Sequence, residues 1–277
     1  MRDNPLPQYE MIARLRRVCA EDERLVAAML YGSFARREGD EYSDLDVMLF
    51  FQDEHLTKID APSWLEQIAP VEIYYRNEFG NHAVIFANLV RGEFHFDSAS
   101  QMANLAGFQG QVWFPNLQDA TLVDKSGDLA QHLHALIGEP PAHDSAQDAD
   151  YVCRSFLNWF LFGANAVGRG EYARARAIMG MFQDNLLRMA RILEGCSREW
   201  ILPYRRLETE LSPQAYERYQ ACTSGAESVA LATAYRLSWE WGRELIWQLA
   251  ASCDLQLPET LIKNMEARCS LLLSDHR

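Results

Sequence analysis

Met29-Leu-Tyr-Gly-Ser-Phe-Ala-Arg-Arg-Glu-Gly-Asp-Glu-Tyr-Ser-Asp-Leu-Asp46 is the stretch that decides the reading of this chain. An apolar run, Leu25 to Tyr31, has strand length and stops at Gly32-Ser33. Ten polar-rich residues follow Ser33, and a second strand is expected from Asp44 to Phe51. Strand geometry has a period of two, so Asp44 and Asp46 are expected on one face and Leu45 and Val47 on the other. Two carboxylates that close repel each other unless something compensates them. A divalent cation does so, and with only oxygen donors nearby the hard ion Mg²⁺ is expected. Glycine lets a backbone approach a phosphate, and Ser33 adds a hydroxyl donor. Strand, Gly-Ser turn, acidic loop and second strand together suit a metal-bound nucleoside triphosphate.

Outward from this stretch, the texture of the chain changes near residue 140. A first helix is expected from about Gln8 to Cys19, with Met11, Ile12, Leu15, Val18 and Cys19 on one face. A further strand is expected over Val71 to Tyr75. His82 to Leu89 and Glu93 to Ser98 are read as a hairpin turning at Val90-Arg91-Gly92. Gly138-Glu-Pro-Pro-Ala-His-Asp-Ser145 is dense in breakers and is read as a linker. Beyond it come long helical periods, over about Asp150–Val167, Glu171–Leu193, a helix capped by Ser212-Pro213, Glu227–Ala251 and a last one opened by Pro258. The expected fold is α+β, a mixed sheet with helices over residues 1–140 followed by an all-α bundle over 147–277.

Composition limits the alternatives. The 277 residues carry 26 Lys and Arg against 39 Asp and Glu, a formal charge of −13. That balance opposes nonspecific binding to nucleic acid, which demands a basic surface. No apolar run approaches the roughly 18 residues of a membrane span, and the first ten residues lack the basic-then-apolar order of a signal peptide. The six cysteines show no metal-type spacing and read as reduced thiols of a cytoplasmic protein.

The Gly-Ser, loop, Asp-x-Asp order resembles the polymerase-β-like nucleotidyltransferase superfamily. More narrowly, Met29-Leu-Tyr-Gly-Ser-Phe34, Glu38-Gly-Asp-Glu-Tyr-Ser-Asp44 and Arg91-Gly-Glu-Phe-His-Phe96 resemble the lincosamide nucleotidyltransferases. The resemblance implies a catalytic domain over 1–140, a substrate-binding helical domain over 147–277, and transfer of AMP from ATP, or of another nucleotide, to an antibiotic hydroxyl. It implies Asp44 and Asp46 as metal ligands, Gly32 and Ser33 as phosphate contacts, Glu93 as the general base, and a homodimer. Read from the residues, Glu93, His95 and Asp97 share one strand face, and His95 rivals Glu93 as the base. Arg36 and Arg37 lie in the loop where they can clamp phosphates. Aromatic residues on the helices are expected in the core, with Trp159 and Trp239 as candidate walls of an acceptor pocket. The groupings Arg169, Arg174, Arg176 and Arg188, Arg191 are read as solvated helix faces. An aminoglycoside acceptor, or a protein or RNA acceptor, would use the same acids. A non-enzymatic protein on this fold would be favoured by their loss, and here they are present.

Overall fold

The computed structural model describes residues 6–274. The first five residues, on which the signal-peptide reading partly rested, and residues 275–277 lie outside them. The chain divides into two compact units between Pro141 and Ala142.

The first unit is a six-stranded mixed sheet with helices. Its strands are β1 (Leu25–Tyr31), β2 (Leu45–Phe51), β3 (Val71–Arg76), β4 (His82–Phe86), β5 (Arg91–Ser98) and β6 (Thr121–Asp124), in the order β3-β4-β5-β2-β1-β6. β1 runs antiparallel to β2 and β6, and β2 runs parallel to β5. Strands buried on both faces read as continuous apolar runs rather than alternations. That is the case for β1 and β2 near the sheet centre, where Ala27–Leu30 and Val47–Phe51 are all buried.

On one face of the sheet Phe51 stacks on Phe96 at 5.7 Å, and Trp64 meets both rings edge-on. Helix Pro7–Glu21 adds Met11, Ile12, Leu15 and Cys19 to the same core. Proline opens that helix where its missing N–H costs nothing. The opposite face carries Asp46 on β2 and Glu93 and His95 on β5, and the 3₁₀ segment Ala99–Phe108 packs against these strands.

Three expectations need correction here. The β4–β5 hairpin turns earlier than read, closed by Leu89 N–H to Phe86 O at 2.8 Å and Phe86 N–H to Val90 O at 3.0 Å. Arg91 and Gly92 therefore belong to β5. The strand β6 was not anticipated, because four residues are too few to show a period. The first long helix of the second unit spans Ala146–Gly168, four residues earlier than expected at its start, because Ser145 and Asp148 form a reciprocal capping box.

The second unit is helical, built on Ala146–Gly168, Tyr172–Glu194, Pro213–Ala221, Ser228–Cys253 and Glu259–Ser274. Its centre is a cluster of Phe156, Phe160, Phe182, Tyr235 and Trp239, with neighbouring centroids 5.0–6.4 Å apart. A Cβ on Gly242 would stand 2.2 Å from the Phe156 ring, so only glycine lets these helices approach so closely. Arg191 corrects another expectation. It is 0% exposed, and its guanidinium donates to the carbonyls of Pro203, Cys196 and Arg205 and to Glu210 Oε2 at 2.5–2.9 Å. It ties down the segment after its own helix.

All six cysteines are free, and burial pushes the Cys19 and Cys153 thiols up to about 12. No helix among the described residues is long and apolar enough to cross a membrane.

Candidate active site

The strand register assembles the site. Tyr31 pairs with Asp46 across β1–β2, and Asp46 pairs with Glu93 across β2–β5. Paired residues of a ladder share a face, so Tyr31, Asp46 and Glu93 form a row across three strands. One step along the same face lie Met29, Met48 and His95. Asp44 stands one residue before the start of β2.

β1 ends in Gly32–Ser33, the start of a single helical turn, Gly32–Ala35. Gly32 has φ +70°, and a Cβ there would come within 2.1 Å of Asp46 Oδ2. The glycine of the motif is thus required by backbone conformation and by the carboxylate beside it.

The row is electrostatically strained. Burial, then the neighbouring Asp44 and Glu93 carboxylates, push the Asp46 carboxyl up to about 6, with Arg91 and Arg36 opposing. Burial, then the Asp46 and Glu93 carboxylates, raise the Tyr31 hydroxyl well above its ordinary range and keep it protonated. Asp44 is engaged by the Arg91 guanidinium. Glu93 is held from both sides. Its Oε1 accepts from Asn81 Nδ2 at 2.9 Å and from the Tyr31 hydroxyl at 3.4 Å, and its Oε2 accepts from Asn77 Nδ2 at 3.1 Å. The β3–β4 turn fixes these amides, because Asn77 Oδ1 accepts the backbone N–H groups of Phe79 and Asn81. His95 Nε2 lies 3.0 Å from the Tyr31 hydroxyl and 3.6 Å from Glu93 Oε1. Asp97 is further along β5, its carboxyl raised by burial.

Asp44, Asp46, Glu93, His95, Gly32 and Ser33 therefore lie together at one end of the sheet. Arg36 and Arg37 follow the Gly-Ser turn, but both carry carboxylate partners, Arg36 with Glu38 at 3.2 Å and Arg37 with Asp119 at 2.6 Å. Trp159 and Trp239 belong to the helical unit. Trp239 is 5% exposed and packs on Phe156 and Phe160; Trp159 is half-buried beside Phe162. Sequence reasoning missed Tyr31, Asn77, Asn81 and Arg91 as members of the site. The asparagines flank the Gly80 turn, a signal that reads as turn chemistry alone.

Among the described residues, no three His, Cys, Asp or Glu side chains converge as a ready metal cage. The donor set nevertheless fits a hard cation. Asp44 and Asp46 offer only oxygen, and Asp46, raised first by burial and then by the Asp44 and Glu93 carboxylates, is a site where a cation would be favoured.

Comparison with known proteins adds the following. Residues 13–93 match the family model of the polymerase beta nucleotidyltransferase domain, and residues 145–268 match that of the lincosamide nucleotidyltransferase-like C-terminal domain. No curated protein matches the chain. Among solved structures, it is similar to an aminoglycoside 6-adenyltransferase from Bacillus subtilis, with 14% identity, TM-score 0.46, and 98% of this chain and 100% of that one covered. It is also similar to a nucleotidyltransferase-like protein from Exiguobacterium sibiricum 255-15, with 13% identity, TM-score 0.41, and 88% and 77% covered. The two matches, one in each unit, thus assign the first unit to the polymerase beta nucleotidyltransferase domains and the second to the lincosamide nucleotidyltransferase-like C-terminal domains.

Proposed function

We propose that this chain transfers AMP from ATP to a hydroxyl of a lincosamide and releases pyrophosphate. The observation that carries the transfer chemistry is the row of Asp46 and Glu93 on adjacent parallel strands, with Gly32–Ser33 at the end of the next strand. The name of the matching C-terminal domain and the residues around Gly32–Asp44 and Arg91–Phe96 support the acceptor class.

In this reading the Gly32 backbone and the Ser33 hydroxyl contact the triphosphate. Asp44 and Asp46 hold Mg²⁺, which when bound neutralises charge on the phosphate oxygens. Arg91, paired with Asp44, stands beside the atoms that would hold the cation and is placed to contact a phosphate. Arg36 and Arg37 serve the same end by exchanging Glu38 and Asp119 for phosphate oxygens. Glu93 takes the proton of the acceptor hydroxyl, whose oxygen forms the new bond to the α-phosphorus as the bond to pyrophosphate breaks. Asn77, Asn81 and Tyr31 hold Glu93 in one orientation, which limits reorganisation during the step. His95 stands beside Glu93, where it contacts the acceptor or passes the proton onward. Trp159 remains the aromatic candidate for an acceptor contact in the helical unit.

The test is pyrophosphate release with ATP and Mg²⁺, comparing clindamycin and lincomycin with kanamycin. Release with a lincosamide alone, with the antibiotic gaining the mass of one AMP, is the expected result. Release with kanamycin alone would move the acceptor to the aminoglycosides and keep the chemistry.

A further inference from the structure

We infer that a cavity on the carboxylate face of the first unit seats an apolar arm of the acceptor, an alkyl or aryl group no larger than a single ring with short substituents. The inference rests on the proposed transfer to a hydroxyl acceptor and adds where that acceptor is gripped.

The cavity measures about 220 Å³. Met29 and Met48 form its floor, and Leu105, Phe108 and Leu136 close over them. Its polar neighbours are Tyr31, Glu93 and His95, the side chains of the reactive row and the next step along β5. A dry apolar cavity of roughly 150 Å³ takes a benzene ring, so this one has room for a ring with substituents. Methionine is flexible and polarizable, which suits a floor that must adapt to a guest.

The position of the cavity selects its occupant. Along the strand axis, Gly32–Ser33 lies beyond Tyr31 on one side of the carboxylate row. Met29 and Met48 lie on the other side, one ladder step or roughly 6–7 Å away. Displacement at phosphorus places the attacking oxygen and the leaving group roughly in line. With the triphosphate against Gly32–Ser33, an acceptor hydroxyl at Glu93 comes from the Met29–Met48 side, and the remainder of that molecule meets the cavity. A nucleobase fits the cavity poorly. Its ring nitrogens and exocyclic groups need hydrogen-bond partners on several edges, and the cavity offers them only at Tyr31, Glu93 and His95, the rest of its lining being methionine, leucine, phenylalanine and valine. The occupant is therefore amphipathic, with a hydroxyl facing Glu93 and an apolar arm behind it.

The experiment uses the full chain with its nine methionines labelled at the methyl carbon, the Met29 and Met48 signals being assigned with Met29→Leu and Met48→Leu. Benzyl alcohol, clindamycin, and a non-hydrolysable ATP analogue with Mg²⁺ are titrated separately. The expected result is that benzyl alcohol and clindamycin shift the Met29 and Met48 methyls at saturation, while the nucleotide analogue shifts them far less. In parallel, Leu105→Trp, which fills the cavity, raises the KM for clindamycin at least tenfold, with a much smaller change for ATP. If Leu105→Trp fails to fold, the wild-type titrations decide. Shifts produced by the nucleotide alone would overturn the inference by making the cavity a base pocket. So would clindamycin that is adenylylated while both methyls stay unmoved. Methyl shifts with benzyl alcohol but no transfer to clindamycin would keep the apolar seat and sink the lincosamide reading instead.

Discussion

Arg191 in the helical unit and Asp46 in the sheet unit are both charged groups held away from bulk water, and their surroundings differ in kind. Arg191 has an opposite charge in Glu210 and three carbonyl acceptors within 2.9 Å, so its burial is compensated almost donor by donor. Asp46 faces two like charges, Asp44 and Glu93, and its compensation comes from Arg91 and Arg36, whose own contacts are Asp44 and Glu38. A satisfied charge holds a structure together. A crowded one raises the free energy of the resting site, and a cation or a charged substrate can relieve it. The helical unit thus uses buried charge to fix a loop, and the sheet unit keeps it as a binding determinant.

The largest effect that tests this contrast is on the satisfied side. Arg191→Ala leaves Glu210 and three carbonyls without their donor and should cost about 3–5 kcal/mol, read as a fall in the denaturant midpoint of the helical unit. Glu210 is partly exposed, so Glu210→Gln should cost less, about 1 kcal/mol. Equal costs would mean that the knot is held by the ion pair alone.

A second effect comes from pH and involves two groups with opposite signs. Burial, then Arg76 and His95, lower His82 from its ordinary range to about 4, and its Nδ1 lies 2.7 Å from the Tyr74 hydroxyl. Its folded form is neutral, so this contribution is complete above about pH 6.5 and is lost as pH falls toward 4. By linkage the loss reaches about 2 kcal/mol at pH 5. Asp46 is raised, so the folded state holds its proton more tightly than the unfolded chain does. It destabilises above about pH 6 and relaxes as pH falls toward 4. Between pH 6 and 4 the two partly cancel, and removing the Asp46 charge should expose the His82 slope. Urea midpoints of wild type and Asp46→Asn at pH 7, 6 and 5 check this, and parallel curves would contradict it.

A smaller effect is expected at the turn. Gly32→Ala places a Cβ against Asp46 Oδ2 in a left-handed conformation and should cost about 1–2 kcal/mol through strain. It should also lower transfer more than stability, because relief comes by moving Asp46. Full transfer with normal stability would show that the close approach is dispensable.

What the sequence disclosed follows the same physics. The Gly32–Ser33 and Asp44–Asp46 pairs were legible because a strand ending in glycine and a strand beginning in acids each break an apolar run, and such breaks are local. The place of Glu93 beside Asp46 was not, since the parallel β2–β5 pairing joins segments more than forty residues apart and leaves no local pattern. Asn77 and Asn81 flank the Gly80 turn, and their grip on Glu93 is a tertiary fact that no local pattern discloses. Arg191 was misread as a solvated helix face because periodicity marks which positions face inward but not when a polar group there finds partners. Trp239 packs into the aromatic core, as helical periodicity led one to expect of most aromatic residues on these helices.

The most direct test of the account is Asp46→Asn measured twice, for transfer and for stability in metal-free buffer at pH 7.5. The account predicts that transfer falls by about 10³-fold or more, as expected when a metal-holding charge is removed. It also predicts that the protein becomes about 1–2 kcal/mol more stable, since a charge penalised first by burial and then by Asp44 and Glu93 is removed. Wild-type transfer, or a variant less stable than wild type at that pH, would contradict the claim that Asp46 is held charged for the reaction at the expense of the resting fold.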